Sequence, residues 1–161
     1  MKDITAEDAE KYGIQNKHSI LDNGEKRFRQ YCSKDNTAYI RAEGLENGYW
    51  QRSHFHKSIR EIYIVQKGPI LLAQYINNKV KIQKFNESGI FIIEPNIPHN
   101  IYMYPHAVLH TVKYGKVEEY DWVSFDLLDE KIKEMPKSKL ERYLKKDANK
   151  STVKSVKRII K

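Results

Sequence analysis

The feature that most constrains this chain is a series of short β-prone runs with no helical pattern between them. The runs are rich in tyrosine, isoleucine and valine, and turn-forming residues separate them. Short strands at this spacing are typical of an all-β sandwich or barrel rather than of alternating strands and helices. The predicted strands cover residues 37–42, 49–56, 61–66, 70–76, 79–85, 90–93, 99–104 and 108–114.

Helical patterns flank this β region on both sides. Thr5 is placed to cap a short helix over residues 5–11, whose first turn is acidic. Residues 126–135 have a helical pattern that Pro136 interrupts, and apolar residues then recur at helical spacing towards the C-terminus. We therefore divide the chain into an N-terminal helical or irregular arm (1–27), a β-barrel (28–115) and a basic C-terminal helical tail (116–161).

The charge of the chain is concentrated in that tail. The net charge is +8, but residues 131–161 carry +9 and residues 1–130 carry −1. A nearly neutral body, without interleaved aromatic and basic residues, does not indicate a nucleic-acid-binding protein. The tail suits the solvent-exposed faces of amphipathic helices or an acidic partner.

Other features exclude whole classes of protein. No run approaches the roughly 18 apolar residues of a membrane-spanning helix, and the first residues lack the apolar core of a secretion signal. Cys32 is the single cysteine, which excludes an intramolecular disulfide and a cysteine-based metal cluster. We expect a cytoplasmic protein that is not associated with a membrane.

One set of residues has the spacing of metal ligands. His54 and His56 lie two apart on a predicted strand and therefore face the same side. Residues 57–60 can turn the chain, so that Glu61 returns on the next strand. A third histidine, His99, opens the strand after a proline-bounded turn. Imidazoles and a carboxylate suit divalent iron, manganese, zinc, nickel or copper.

With these residues the sequence resembles the cupin superfamily. The first cupin motif is matched in full, and the second is matched loosely, with Asn96 in place of its turn glycine and Met103 in place of its asparagine. The resemblance covers roughly residues 28–115. The matching positions are Gly48, His54, His56, Glu61 and Gly68 in the first motif and Gly89, Pro95, Pro98 and His99 in the second.

The resemblance implies a small antiparallel jelly-roll barrel that holds one divalent metal ion (iron, zinc, manganese or nickel) in its mouth. Its ligands would be His54, His56, Glu61 and His99. It also leaves an alternative open, because some cupins use these residues as acid and base groups without a metal. The two other histidines outside the last strand, His18 and His106, are expected to be surface residues.

Strand alternation predicts which side chains line the pocket. Trp50 and Arg52 share the face of His54 and are the expected substrate-binding residues, with Arg52 suited to a phosphate or carboxylate. Tyr63 shares the face of Glu61 and is a candidate proton-transfer residue. His110 is the other candidate base. The direction of its side chain is open. If Val108 and Val112 face the interior, His110 lies inside the barrel, whereas if Leu109 and Thr111 face the interior, His110 is exposed. We favour the inward orientation of His110, because two valines share its face.

Three functions remain open. The first is a metal-dependent isomerase or epimerase that acts on a sugar, a sugar phosphate or a nucleotide sugar; short similarities to such cupins surround His54 and His110. The second is an iron-dependent oxygenase, and the third is a non-catalytic module that binds a small molecule. In each case the ligand is a small, possibly anionic molecule. Cupins often pair through their barrels, so a homodimer is expected.

Overall fold

The fold was analysed in a computed structural model, which describes residues 1, 3–115 and 121–145. Antiparallel strands are the main secondary structure of the described chain, with short helices at both ends. The strands are β1 Ile14–Asn16, β2 Ser19–Ile20, β3 Lys26–Cys32, β4 Ala38–Glu43, β5 Tyr49–Trp50, β6 His54–His56, β7 Arg60–Lys67, β8 Ile70–Ile76, β9 Lys79–Phe85, β10 Ile90–Ile93, β11 His99–Met103, β12 Val108–Tyr114 and β13 Trp122–Ser124. The helices are α1 Ala6–Lys11, α2 Asp126–Lys133 and α3 Lys137–Lys145.

The strands form two antiparallel sheets. The first has the order β1-β3-β4-β12-β7-β10, with β2 paired to β3, and the second has the order β13-β6-β11-β8-β9, with β5 paired to β11. Neighbours in the sheets are mostly distant in sequence, as in a jelly roll. The predicted fold class, an all-β jelly roll with short terminal helices, is confirmed.

The hydrophobic core lies between the two sheets. Inward residues alternate with exposed ones along each strand, as Tyr63 and Val65 do beside exposed Ile64 on β7. Ile101 and Met103 of β11 meet them from the other sheet, and all four are almost completely buried. This core fills one end of the sandwich, while polar side chains occupy the other.

The terminal helices form where the sequence predicts them. The N-terminal segment also contains strands that were not predicted from the sequence. Thr5 caps α1 by accepting a hydrogen bond from the Asp8 amide at 3.1 Å. Strands β1 and β2 lie within the segment predicted as an irregular arm, and both pair with β3. The predicted helical repeat over residues 153–160 lies outside the described residues.

Helices α2 and α3 both pack on the second sheet. Leu128 and Ile132 of α2 are buried against Ala73 on the outer side of that sheet. Lys84 on β9 donates a hydrogen bond to the Leu144 carbonyl of α3 at 2.5 Å. The described part of the C-terminal region therefore covers the sandwich. Within the described residues, no helix is long and apolar enough to cross a membrane.

Candidate metal centre

Two histidines and a glutamate meet between the two sheets. His54 on β6 and His99 on β11 are Cα partners in the second sheet. Glu61 approaches them from β7 in the first sheet, not from a neighbouring strand of the same sheet as the sequence had suggested. The Glu61 Oε2 atom lies 2.9 Å from His99 Nε2 and 3.9 Å from His54 Nε2. One donor atom from each residue lies within 4.8 Å of the others.

Backbone carbonyls orient both imidazoles. Nδ1 of His54 lies 3.0 Å from the Arg52 carbonyl oxygen, and Nδ1 of His99 lies 3.0 Å from the Ile97 carbonyl oxygen. Each Nδ1 can donate its proton to that carbonyl, which leaves Nε2, on the side of Glu61, free to bind a metal ion. Burial, reinforced by the nearby His99, lowers the pKa of His54 to about 3, so this imidazole is neutral at pH 7. Neutral imidazoles with fixed lone pairs are suited to bind a metal.

Glu61 is ionised although its side chain is only 2% exposed. Burial acts to raise the pKa of its carboxyl, but the neighbouring Lys113 ammonium, as the largest opposing influence, outweighs burial and holds the pKa well below its usual range. Lys113 Nζ lies 2.8 Å from Glu61 Oε1. The carboxylate thus presents Oε2 to the two histidines and Oε1 to the lysine.

His56 belongs to a second polar group on the same side. Its Nδ1 bonds to Asp121 Oδ2, and its Nε2 lies 2.9 Å from Lys113 Nζ and 3.5 Å from Glu61 Oε1. Asp121 is itself held by Ser58, whose amide and hydroxyl donate to Oδ1 at 2.8 and 2.7 Å. Burial acts against the ionised carboxylate, but these hydrogen bonds outweigh it and lower the pKa of Asp121.

The residues present fit a divalent metal ion. Within the described residues, His54 Nε2 and Glu61 Oε2 are buried without a hydrogen-bond partner, whereas Glu61 Oε1 forms the ion pair with Lys113. Unpartnered polar atoms in a protein interior are costly, and a metal ion would satisfy both. The two-nitrogen, one-oxygen donor set suits iron, zinc, manganese or nickel. His56 can complete the predicted set of four only when Lys113 no longer bonds its Nε2.

A cavity of about 910 Å³ opens beside this group. His54, Glu61 and Lys113 lie in its wall, as do Trp50 and Arg52, the two residues that the sequence assigned to substrate binding. The segment from β5 to β6 is not one continuous strand, yet it delivers these side chains to the same cavity as predicted.

Aromatic rings line the mouth and the inner wall of the cavity. Trp122 stacks on His54 with ring centroids 5.6 Å apart, and the Arg52 guanidinium lies 5.6 Å above the centre of the Trp122 ring. Tyr63 is deep in the wall, with its hydroxyl 3.3 Å from His99 Nε2. Burial first, and the Glu61 charge second, raise the pKa of Tyr63 well above its usual value. Its phenol therefore keeps its proton.

His110 does not face the cavity, so the inward orientation favoured from the sequence is wrong. Its Nδ1 lies 2.7 Å from the Tyr39 hydroxyl and its Nε2 lies 2.5 Å from Gln66 Oε1, on the outer face of the first sheet. The inward face of β12 instead carries Leu109, Thr111 and Lys113. A register shift between Val108 and Leu109 disturbs the start of this strand. The titratable side chain that β12 contributes to the cavity is therefore Lys113, and not His110 as predicted from the sequence.

Asp129 was not identified from the sequence, but it joins α2 to the site. Its Oδ1 accepts hydrogen bonds from the Ser53 amide at 3.0 Å, the Ser53 hydroxyl at 2.5 Å and Asn100 Nδ2 at 2.9 Å. Ser53 directly precedes His54, so this carboxylate fixes the start of β6. A pattern of sequence spacing could not reveal it, because Ser53 and Asp129 are 76 residues apart.

No protein-family model matches this sequence, and no curated protein matches it. Its fold, however, matches solved structures. KdgF from Halomonas sp. aligns with a TM-score of 0.51 and 12% identity, covering 64% of this chain and 89% of that one. The QdtA 3,4-ketoisomerase from Thermoanaerobacterium thermosaccharolyticum, a double mutant in complex with TDP, aligns with a TM-score of 0.50 and 17% identity, covering 78% and 99%.

Oxalate decarboxylase from Bacillus subtilis aligns with a TM-score of 0.55 and 14% identity. The alignment covers 81% of this chain but only 34% of the decarboxylase, so the chain spans about a third of that protein. At 12–17% identity these matches show the fold alone, which in this chain is a jelly-roll sandwich of two antiparallel sheets. The chain accordingly has the cupin fold, which the two histidine motifs predict.

Proposed function

We propose that this protein is a metal-dependent isomerase or epimerase that acts on a sugar, a sugar phosphate or a nucleotide sugar. The observation that carries the proposal is the buried group of His54, Glu61 and His99, which has open donor atoms at the wall of a cavity large enough for such a substrate. A bound divalent metal would supply a Lewis acid that polarises a substrate carbonyl.

The chain's own residues supply proton transfer and anion binding. Tyr63 holds a proton on its hydroxyl beside His99, from which it can donate to a substrate oxygen as negative charge develops there. Arg52 lies at the mouth on the Trp122 ring, and it forms no ion pair among the residues that the structure describes. Its guanidinium is therefore available to bind a phosphate or carboxylate bidentately. The ketoisomerase activity named for QdtA, which has the same fold, is consistent with this chemistry.

Metal content is the first test. Untagged protein is analysed by plasma mass spectrometry beside the His54→Ala/His56→Ala double variant and a His110→Ala control, whose imidazole lies on the outer face of the sheet. We expect about one equivalent of metal in the wild type and in the control, and none in the double variant, because a facial ligand set needs its imidazoles. A wild type that stays metal-free after reconstitution would contradict the metal site.

Turnover is the second test. The metal-loaded protein is incubated in deuterium oxide with a panel of sugar phosphates and nucleotide sugars, and deuterium on carbon is followed by NMR. An isomerase that moves a proton through a protein group exchanges that proton with solvent, so one member of the panel should acquire deuterium. Glu61→Gln should abolish the exchange, and His110→Ala should retain it. No exchange with any member of the panel would refute the isomerase.

An iron-dependent oxygenase is the alternative that a specific observation favours. Two histidines and one carboxylate with open positions form the ligand set typical of iron(II) oxygenases. Oxygen consumption with iron and substrate, and none with zinc, would identify this reaction in place of isomerisation.

A further inference from the structure

Lys113 is a cation that the fold itself inserts among the metal ligands. It lies on the inward face of β12, with 17% of its side chain exposed. Its ammonium is 2.8 Å from Glu61 Oε1 and 2.9 Å from His56 Nε2. Both of these atoms belong to residues that the sequence assigns to the metal.

The contact with His56 uses the lone pair that a metal would need. Asp121 accepts the proton on Nδ1 of this imidazole, so Nε2 carries the free lone pair. An ammonium has only donors, and Lys113 therefore donates to that lone pair. As long as this bond persists, His56 is not available to a metal ion.

We propose that Lys113 and the divalent metal are competing cations for the same buried carboxylate, and that metal binding displaces the Lys113 ammonium from Glu61. The inference rests on the metal site of the proposed function and adds a residue that sets the affinity of that site. Lys113 lines the cavity, so its displaced side chain can extend into that space.

Charge and distance require this competition. A buried carboxylate is stable when one cation compensates it. A metal ion bound to Oε2 would lie within a few ångströms of an ammonium held at Oε1, and two like charges at that distance repel strongly in a site with little water. Metal binding breaks the ion pair between Lys113 and Glu61, so the free energy of that ion pair reduces the free energy of metal binding.

Zinc(II) affinity measures the competition directly. Full-length wild type, Lys113→Met and Lys67→Met are compared by competition with a zinc-binding dye, under conditions in which all three are folded. Methionine keeps the length of the lysine side chain without its charge. Loss of the ammonium should tighten zinc binding by about a hundredfold, the scale of a broken buried ion pair. Lys67, at the exposed end of β7, controls for the general loss of one positive charge.

Chemical labelling of the wild type provides a second readout that needs no variant. The protein is acylated briefly with an amine-reactive ester, with and without saturating zinc, and the modified lysines are quantified by mass spectrometry. Displacement should increase labelling of Lys113 severalfold while labelling of Lys67 stays constant. If Lys113→Met does not fold, Lys113→Gln serves for the affinity comparison.

The outcomes separate this inference from the proposed function. Equal zinc affinity in the wild type and in the Lys113 variant, or unchanged labelling of Lys113 in the zinc-bound protein, overturns the competition and leaves the metal site standing. Absence of zinc binding from both proteins overturns the competition and the metal site together.

Discussion

At the residue scale, the site depends on how each polar group is held in a buried position. The imidazoles of His54 and His99 are oriented by main-chain carbonyls, so the direction of each ring does not depend on a flexible side chain. Tyr63 differs because its hydroxyl meets other site residues only, at 3.3 Å from His99 Nε2. It is a neutral proton donor beside the group, and its loss should affect chemistry more than structure.

Tyr63→Phe tests that role. The ring still packs on Phe91, with centroids 4.9 Å apart, so the fold and the metal content should be unchanged. Removal of a positioned proton donor typically costs about 10²-fold or more in rate, and we expect a decrease of that size in kcat for the panel substrate. Steady-state kinetics beside metal analysis provide the measurement. Wild-type kcat in the variant would exclude Tyr63 from proton transfer.

The sequence indicates that His54, Glu61 and His99 lie together, as they do in the structure, but it does not indicate the residues that support them. His54 and Glu61 are close in the chain, and strand periodicity directs their side chains. Lys113 contacts Glu61 and Asp121 contacts His56, and each pair is separated by more than 50 positions in the sequence. The sequence around Lys113 and Asp121 does not indicate these contacts. The error on His110 has a different cause: both faces of its strand carry apolar residues, so alternation alone could not decide which face is buried.

At the element scale, α2 is attached to the sandwich by an apolar face and one charged anchor. Leu128 and Ile132 supply the apolar contact, as the helical periodicity of the sequence predicts. The anchor is Asp129, which accepts hydrogen bonds from Ser53 and Asn100 of the second-sheet region. A short helix of this length depends on such tertiary contacts for its stability.

Asp129→Ala should therefore destabilise the protein. It leaves the buried Ser53 amide and hydroxyl without their acceptor, while Asn100 Nδ2 retains the Gln51 carbonyl and the Ser53 hydroxyl oxygen. Unsatisfied buried donors cost about 1–3 kcal/mol each, with partial recovery through water. We expect the free energy of unfolding in urea to fall by about 3 kcal/mol. Glu130→Ala, the neighbouring exposed position on α2, is the matched control. Equal losses from the two variants would show that Asp129 is not an anchor.

At the scale of the whole molecule, the fold and the site occupy different parts of the sandwich. The large core cluster holds aliphatic and aromatic side chains from both sheets and includes none of the ligand residues. The two regions adjoin along β11, which carries His99 as well as the core residues Ile101 and Met103. Folding should thus depend on the core, and the metal should add stability to a chain that is already folded.

Metal removal tests this division. Protein treated with a chelator should keep the circular dichroism of a β-protein and unfold cooperatively, since the core is intact without the ion. Zinc should bind the folded site and raise the free energy of unfolding by about 2.7 kcal/mol when its free concentration is one hundred times the dissociation constant. The increase should grow with the logarithm of zinc concentration and disappear in Glu61→Gln. A chain that loses its β-structure on chelation would instead show that the metal holds the two sheets together.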